Sequence, residues 1–168
     1  KAHSSVSFSV DHMVVSEVTG KFTDFSADVK ADKPDFSDAT GTFTVALKSI
    51  NTDNEKRDAH LRGADFFEVE KYPDMNFTIK KFTKVNGKIY KVTGDLTLHG
   101  ITKTVTLNAK FGGIVKDPYG LTRTGIIVTG DIDRYTFGLK YNGVMEAGGL
   151  TIGKKVSIKA NLELTKAN

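Results

Sequence analysis

The sequence contains no cysteine. This absence excludes disulfide bonds, thiolate nucleophiles and cysteine-ligated metal sites together, while it leaves the compartment undecided because oxidising and reducing environments both tolerate such a chain. Tryptophan is also absent, so the aromatic residues are 11 phenylalanines and 5 tyrosines. Because phenylalanine carries no polar group, this bias favours a dry interior.

Long apolar runs and a strong net charge are missing as well. No run approaches the ~18 residues that a membrane-spanning helix needs. The net charge is only +4, and the lysines are dispersed along the sequence, so we expect no nucleic-acid partner. A length of 168 residues fits one domain, residues 1–168, since all-β barrels and sandwiches of this size form single units.

Motifs for catalysis and metal binding are scarce. The nucleophile-elbow pattern G-x-S-x-G does not occur. Residues 148–155 resemble a phosphate-binding loop, but Lys155 stands where a magnesium-binding Ser or Thr is required, and a strand follows instead of a helix. The histidines lie far apart and lack zinc-site spacing: His3, His12, His60 and His99. We therefore expect no catalytic residues, no metal and no required cofactor.

What the sequence does contain is alternation with a period of two, which predicts half-buried strands. In the first such stretch Val6, Phe8 and Val10 share one face, and His12 has the same parity. The pattern shifts near Asp24, which predicts a bulge. Asn86-Gly87 predicts a tight hairpin. Eight strands follow from these patterns, several of them 10 to 13 residues long.

One segment, Ser49–Pro73, interrupts the alternation. Thr52 and Glu55 have the spacing of a capping box, which predicts a helix over Asp53–Arg62 that ends at Gly63. Few apolar residues accompany this helix, so we expect it to lie across a larger β-structure as a lid or plug.

The helix also concentrates ionisable groups, because Arg57, Asp58 and His60 fall within one helical turn. Two interpretations remain open: a structural network that ties the helix to a barrel rim, or a polar site at a cavity mouth. We expect Phe66 and Phe67, which follow the helix, to contact a ligand or the barrel core.

Six stretches together resemble one protein family: HSSVSFSVDHM, VTGKFTDF, SINTDNEKRDAHLRGADFF, KYPDMNF, VTGDLTLHGITKTVTL and DRYTFGL. The chain resembles the YceI-like family, also called polyisoprenoid-binding proteins, over almost its whole length. The last stretch matches the family's Arg-x-x-Phe-Gly corner. The resemblance implies an all-β fold, an eight-stranded antiparallel lipocalin-like barrel with a short helical insertion at about residues 52–68, which encloses a long apolar cavity.

The resemblance also implies a bound ligand, a long-chain lipid such as an isoprenoid quinone, a polyprenyl compound or a fatty-acid-like molecule. With the phenylalanine-rich strand faces, it predicts non-catalytic binding, storage or transport. The expected cavity wall comprises Phe8, Val10, Phe22, Phe25, Phe43, Val45, Leu47, Phe66, Phe67, Met75, Phe77, Ile79 and Phe137. The expected head-group contacts are His12, Arg57, Asp58 and His60.

Two other functions compete with lipid binding. An enzyme could act on such a lipid through the His, Asp and Arg groups at the mouth. Alternatively, a barrel filled by its own phenylalanines could serve as a surface interaction module, and the absence of an internal cavity would favour that reading.

Partners and location complete the expectations. Lys80, Lys81, Lys84, Lys88 and Lys91 surround the Asn86-Gly87 hairpin, which indicates either transient contact with an anionic membrane surface or a solvated edge that discourages aggregation. The chain begins without methionine directly before a strand, as a mature periplasmic or secreted protein would after loss of a leader. The sequence indicates no particular oligomeric state.

Overall fold

The computed structural model describes residues 3–145 and 150–166. Lys1, on which the leader hypothesis rests, and residues 146–149 of the glycine-rich segment before the last strand lie outside these ranges. Within them the protein is mostly β, and every strand joins a single antiparallel sheet that curls on itself. The predicted fold class is thereby confirmed. No helix in the described ranges is long and apolar enough to cross a membrane.

The sheet contains ten strands and the chain adds one α-helix. The strands are β1 (Ser5–His12), β2 (Ser16–Phe22), β3 (Phe25–Lys30), β4 (Thr40–Ala46), β5 (Ile50–Asn51), β6 (Asp74–Asn86), β7 (Ile89–Leu98), β8 (Ile101–Lys116), β9 (Thr122–Asp133) and β10 (Ile152–Thr165). The helix α1 spans Glu55–Arg62, and short 3₁₀ helices span Leu47–Ser49 and Arg134–Phe137.

Ten strands replace the expected eight because two of the predicted strands are bent. The strand order is β3-β4-β6-β7-β8-β9-β10-β1-β2-β5. Its two end members, β3 and β5, continue β2 and β4 beyond a bend. The first bend, at Thr23 and Asp24, lies where the sequence predicts a bulge.

The two bends meet and join the ends of the sheet. The Thr23 N–H donates to the Ser49 carbonyl at 3.2 Å, and the Ala46 N–H donates to the Asp24 carbonyl at 3.0 Å. The Ser49 hydroxyl accepts from the Asp24 N–H at 3.0 Å. These bonds close the curl into a barrel-like wall on one side of the molecule.

Beyond the bends, on one side of the wall, no ladder of backbone hydrogen bonds joins the neighbouring strands that the structure describes. In the described part of the chain β3 pairs only with β4, and residues 162–165 of β10 pair only with β9. The unpaired margins of β3 and β10 therefore flank a lateral gap.

The barrel has two ends that we call upper and lower. The upper end carries α1, the β1–β2 turn and the beginning of β10. The lower end carries the Asn86-Gly87 hairpin and the turn between β8 and β9. Each end has its own buried cluster, around Leu47 and Phe137 at the upper end and around Phe82 and Tyr90 at the lower end. The rings of Phe82 and Tyr90 stack with their centroids 4.8 Å apart.

The N-terminus of α1 corrects one prediction. Asn54, not Thr52, caps the helix, because its side chain accepts from the Arg57 N–H at 3.0 Å. The expected capping box between Thr52 and Glu55 does not form. Gly63 follows the last helical residue as predicted, and its N–H donates to the His60 carbonyl.

Candidate functional site

Two cavities occupy the interior of the barrel, one above the other. The upper cavity has a volume of about 310 Å³ and the lower one about 140 Å³. They share five lining residues, which form a neck between them: Phe8, Phe22, Met75, Ile132 and Ile158. The barrel is therefore not filled by its own side chains, contrary to the interaction-module hypothesis.

The lower cavity is almost wholly apolar. Phenylalanine, leucine, isoleucine, valine, alanine and one methionine line it, and only Ser7 and Lys159 bring polar groups. Its wall includes Ala27 of β3, which is exposed, and Leu164 of β10. Because these residues lie on the two margins of the lateral gap, the lower cavity adjoins solvent there.

The upper cavity combines an apolar floor with a polar rim. The polar residues at its wall come from β1, α1 and the segment between β9 and β10: Asp11, His12, Arg57, His60, Arg134, Tyr141 and Thr151. A pocket of this composition suits a ligand with an apolar tail and a polar end, because the few polar groups fix its orientation.

Arg134 is the most buried of these polar residues, with 4% of its surface exposed. In the described part of the chain no carboxylate pairs with it, and its guanidinium donates instead to the carbonyls of Gly153, Leu139, Tyr141 and Ile152. It also lies over the Tyr135 ring, 4.8 Å from the centroid. Burial lowers the pKa of Arg134, because desolvation penalises the charged form.

The polar groups of α1 are engaged with the adjoining strand. The buried carboxylate of Asp58 accepts from the Thr52 hydroxyl at 2.6 Å and from the Thr52 N–H at 2.9 Å. Arg57 donates through Nε to the Thr52 hydroxyl and through Nη2 to its carbonyl, both at 2.8 Å. Arg62 donates to the carbonyls of Lys48 and Ile50. These bonds fix the helix over the upper cavity and favour the structural network that the sequence left open.

An aromatic cluster covers the mouth of the upper cavity. The His60 ring lies edge-on to Phe66 at 5.1 Å and to Tyr141 at 4.9 Å, while Phe66 and Tyr141 lie 5.0 Å apart. His60 Nε2 also lies 2.8 Å from the Asp65 carboxylate. Phe67 points elsewhere and packs against Phe22 of the neck at 6.2 Å. Phe66 thus braces the covering cluster, and Phe67 contacts the neck.

The neck depends on a close approach between a ring and the backbone. Phe8 and Gly20 are cross-strand partners in β1 and β2. A Cβ atom at residue 20 would lie 2.6 Å from Phe8 Cε1, closer than side chains tolerate. The Phe8 ring can therefore occupy this position only because residue 20 is glycine.

Most of the predicted wall residues do line a cavity. Nine do so: Phe8, Val10, Phe22, Phe43, Phe66, Phe67, Met75, Phe77 and Ile79. Phe25, Val45, Leu47 and Phe137 do not, because they are packed within the upper core cluster, close to the bends and the 3₁₀ helices.

The expected head-group residues divide in the same way. His12, Arg57 and His60 line the upper cavity. Asp58 does not, because its carboxylate is buried against Thr52. Sequence reasoning missed Arg134 and Tyr141, although the Arg-x-x-Phe-Gly corner that contains Arg134 was visible as a motif.

Comparison with known proteins places this architecture in a family. The model of the YceI-like domain matches residues 1–164. The chain belongs to the YceI-like family. A UPF0312 protein of Staphylococcus aureus strain N315 is 41% identical over 165 residues, which cover 98% of this chain and 94% of the relative.

Solved structures of YceI-like and related proteins share the fold. A Campylobacter jejuni YceI protein has 32% identity and a TM-score of 0.81, with coverage of 94% of this chain and 90% of that one. Burkholderia cenocepacia BcnA has 24% identity and a TM-score of 0.82, with 98% of both chains covered. A polyisoprenoid-binding domain from Saccharophagus degradans has 18% identity and a TM-score of 0.70, with 98% of this chain and 94% of that one covered.

Proposed function

We propose that the protein binds one long-chain lipid, such as an isoprenoid quinone or a polyprenyl compound, without chemical conversion, and carries or stores it. The single observation that carries this proposal is the pair of stacked cavities that share the apolar residues of the neck. The polyisoprenoid-binding domain with the same fold supports it.

The chemistry of the walls favours an orientation with the apolar tail of the lipid in the lower cavity and its polar end in the upper cavity. The lower cavity buries apolar surface, and each methylene moved there from water contributes ~0.8 kcal/mol before the entropy cost of binding. The polar end of the lipid then lies in the upper cavity, within reach of His12, Arg134 and Tyr141. Phe67 and Phe22 contact the tail where it passes the neck.

Non-catalytic binding fits the bonds of the polar groups. General acid–base catalysis needs an acid and a base within hydrogen-bond reach of one reactive atom. Asp58 and Arg57 are both engaged with Thr52, and His60 with Asp65. These groups hold the cover of the cavity in place, which is the role that a carrier requires.

Lipid uptake by a variant with a blocked neck tests the proposal. Met75 lies in the neck on β6, and Met75→Trp should block the passage while leaving the upper cavity accessible. We expect this variant to lose binding of long prenyl chains and to retain short-chain analogues. Native mass spectrometry after incubation with prenols of graded length measures both.

Thr78→Trp is the matched control, because Thr78 lies on the exposed outer face of the same strand. It should bind all chain lengths as the unmodified protein does. Failure of the unmodified protein to take up or co-purify with any lipid would refute the proposal. Conversion of a bound lipid that is lost in His60→Ala, with binding retained, would favour the enzyme hypothesis.

A further inference from the structure

Two neighbouring hairpins at the lower end of the barrel, β6–β7 and β8–β9, carry a cluster of lysines, while the carboxylates of this end belong to Asp117 and Glu163, which pair with Arg123, and to the connection between β3 and β4. Residues 80–116 carry eight lysines and a single carboxylate, Asp95, a net charge of +7 in a chain whose total is +4. Lys80 pairs with Asp95 at 2.7 Å. At the lower end five exposed lysines have no carboxylate within ion-pair distance in the described ranges: Lys84, Lys88, Lys91, Lys110 and Lys116.

Exposed apolar and aromatic side chains lie among these lysines. The β8–β9 hairpin extends beyond β7, because Ile89 at the start of β7 pairs with Lys110 and β8 continues to Lys116. At the usual rise per residue this projection measures roughly 20 Å. Five such side chains occupy the two neighbouring hairpins: Val85, Ile89, Ile114, Val115 and Tyr119, with Val115 61% and Tyr119 88% exposed. We call the five lysines and these five residues the basic end.

Protection of a sheet edge explains only part of the basic end. Lysines discourage aggregation where a strand has an unpaired margin. Lys84 and Lys116 lie on such margins, because within the described residues β6 beyond Ile79 pairs only with β7 and β8 beyond Lys110 pairs only with β9. Lys91 and Lys110 lie where their strands are paired on both sides, and edge protection does not account for the exposed apolar side chains beside them.

We propose that the basic end docks the protein on an anionic lipid bilayer. Lysines attract anionic lipid head groups, and their methylene stems allow the ammonium groups to stay in the polar layer while neighbouring apolar groups enter the interface. Tyrosine favours the same interfacial depth. Val85 and Tyr119, at the tips of the two hairpins, are the side chains that enter the bilayer surface.

Other partners fit this surface less well. Sequence-specific or phosphate-directed binding of nucleic acid favours arginine, and Arg123, the nearest one, is held by Asp117 and Glu163, both at 2.6 Å. A second copy of the chain would bring two sets of unpaired lysines together, which opposes self-association through this end.

Vesicle binding tests the proposal, and it does not depend on lipid inside the barrel. The full chain is mixed with vesicles of phosphatidylcholine alone and with vesicles of equal parts phosphatidylcholine and phosphatidylglycerol, and the bound fraction is measured by flotation. We expect binding to the second kind only, with the affinity falling as salt is raised. The triple variant K84Q/K88Q/K110Q should lose affinity by about fivefold per lysine at low ionic strength.

Two controls make the test specific. The variant K21Q/K56Q/K103Q removes the same charge from exposed positions outside the basic end and should bind as the unmodified protein does. V85S/Y119S should weaken binding, whereas V14S/V15S, which changes exposed valines of the β1–β2 turn at the upper end, should not.

Several results would overturn the proposal. These are no binding to anionic vesicles, equal losses in the two lysine triples, or dependence on Val14 and Val15 alone. Retention on duplex DNA without vesicle binding would assign the basic end to nucleic acid. A dimer that V85S/Y119S dissociates, again without vesicle binding, would assign it to self-association. Circular dichroism of each variant confirms that the fold is intact.

Discussion

The upper and lower cavities share a neck but differ in polarity and in how the chain covers them. The lower cavity is apolar and is walled mainly by paired strands. Above the neck, a helix and an irregular segment supply most of the polar side chains, and Arg57 and Arg134 among them donate hydrogen bonds to backbone carbonyls. A regular sheet can thus wall an apolar cavity by alternation, whereas a polar rim comes mainly from segments that leave the sheet.

Removal of the Arg134 side chain, which belongs to the polar upper end, should lower the stability of the protein most. Arg134→Met leaves up to three carbonyls without a donor, because the Ile152 carbonyl also accepts from Asn142, and each buried polar group left unpaired costs roughly 1–3 kcal/mol. We expect the free energy of unfolding to fall by about 3 kcal/mol or more. Urea denaturation measures it.

Arg123→Met is the matched control, because Arg123 also makes several bonds but lies partly exposed and pairs with carboxylates that water can solvate. It should destabilise much less. Equal losses in the two variants would show that Arg134 does not have the special role assigned to it at the upper end.

Disruption of the aromatic cover should separate stability from ligand exchange. Phe66→Ala removes a buried ring and should cost roughly 3 kcal/mol, with faster lipid release. Tyr141→Ala removes the 44% exposed partner and should cost less than about 1 kcal/mol while it also speeds release. Stopped-flow transfer of a fluorescent lipid to vesicles measures release. Unchanged release in both variants would mean that the lipid does not pass the cover, and would direct attention to the lateral gap.

Acidification should have the smallest effect on stability, and the loss of stability should begin at the lower end. Hydrogen bonds from Arg123 lower the pKa of Asp117, and Arg123 followed by His3 lowers the pKa of Glu163. Because the folded pKa values lie below those of the unfolded chain, this stabilisation is complete above about pH 5 and is lost as pH falls through the folded values.

Hydrogen exchange at neutral and acidic pH measures this loss. We expect amides of residues 112–122 to lose protection before those of α1. Arg123→Gln should abolish the difference between the two pH values at the lower end. If α1 loses protection first, the acid-sensitive contacts lie at the upper end instead.

The sequence predicted the fold well because alternation and turn signals are local. Asn86-Gly87 and the shift near Asp24 each marked a feature that the structure contains. The cavity was harder to predict, since alternation separates inward from outward residues but does not separate a packed inward residue from a cavity wall. Val45 and Phe43 have the same parity in β4, yet only Phe43 lines a cavity.

The polar residues were predicted least well, because hydrogen bonds between distant segments decide their roles. The spacing of Thr52 and Glu55 suggested a capping box, but Thr52 bonds with Asp58 and Arg57 across the start of the helix. The carbonyls that accept from Arg134 belong to residues 5 to 19 positions away, so no local pattern reports its burial.

The position of the Phe8 ring inside the barrel depends on a single residue, Gly20. The ring of Phe8 rests directly on this residue, so even one methyl group there forces the ring out of its place beside the backbone of β2. Because Phe8 lines both cavities, a change at residue 20 reaches the interior of the barrel. If the proposed lipid binding holds, an alanine or serine at the equivalent position of other YceI-like chains with this strand pairing would mark proteins with a differently shaped interior and a different choice of lipid.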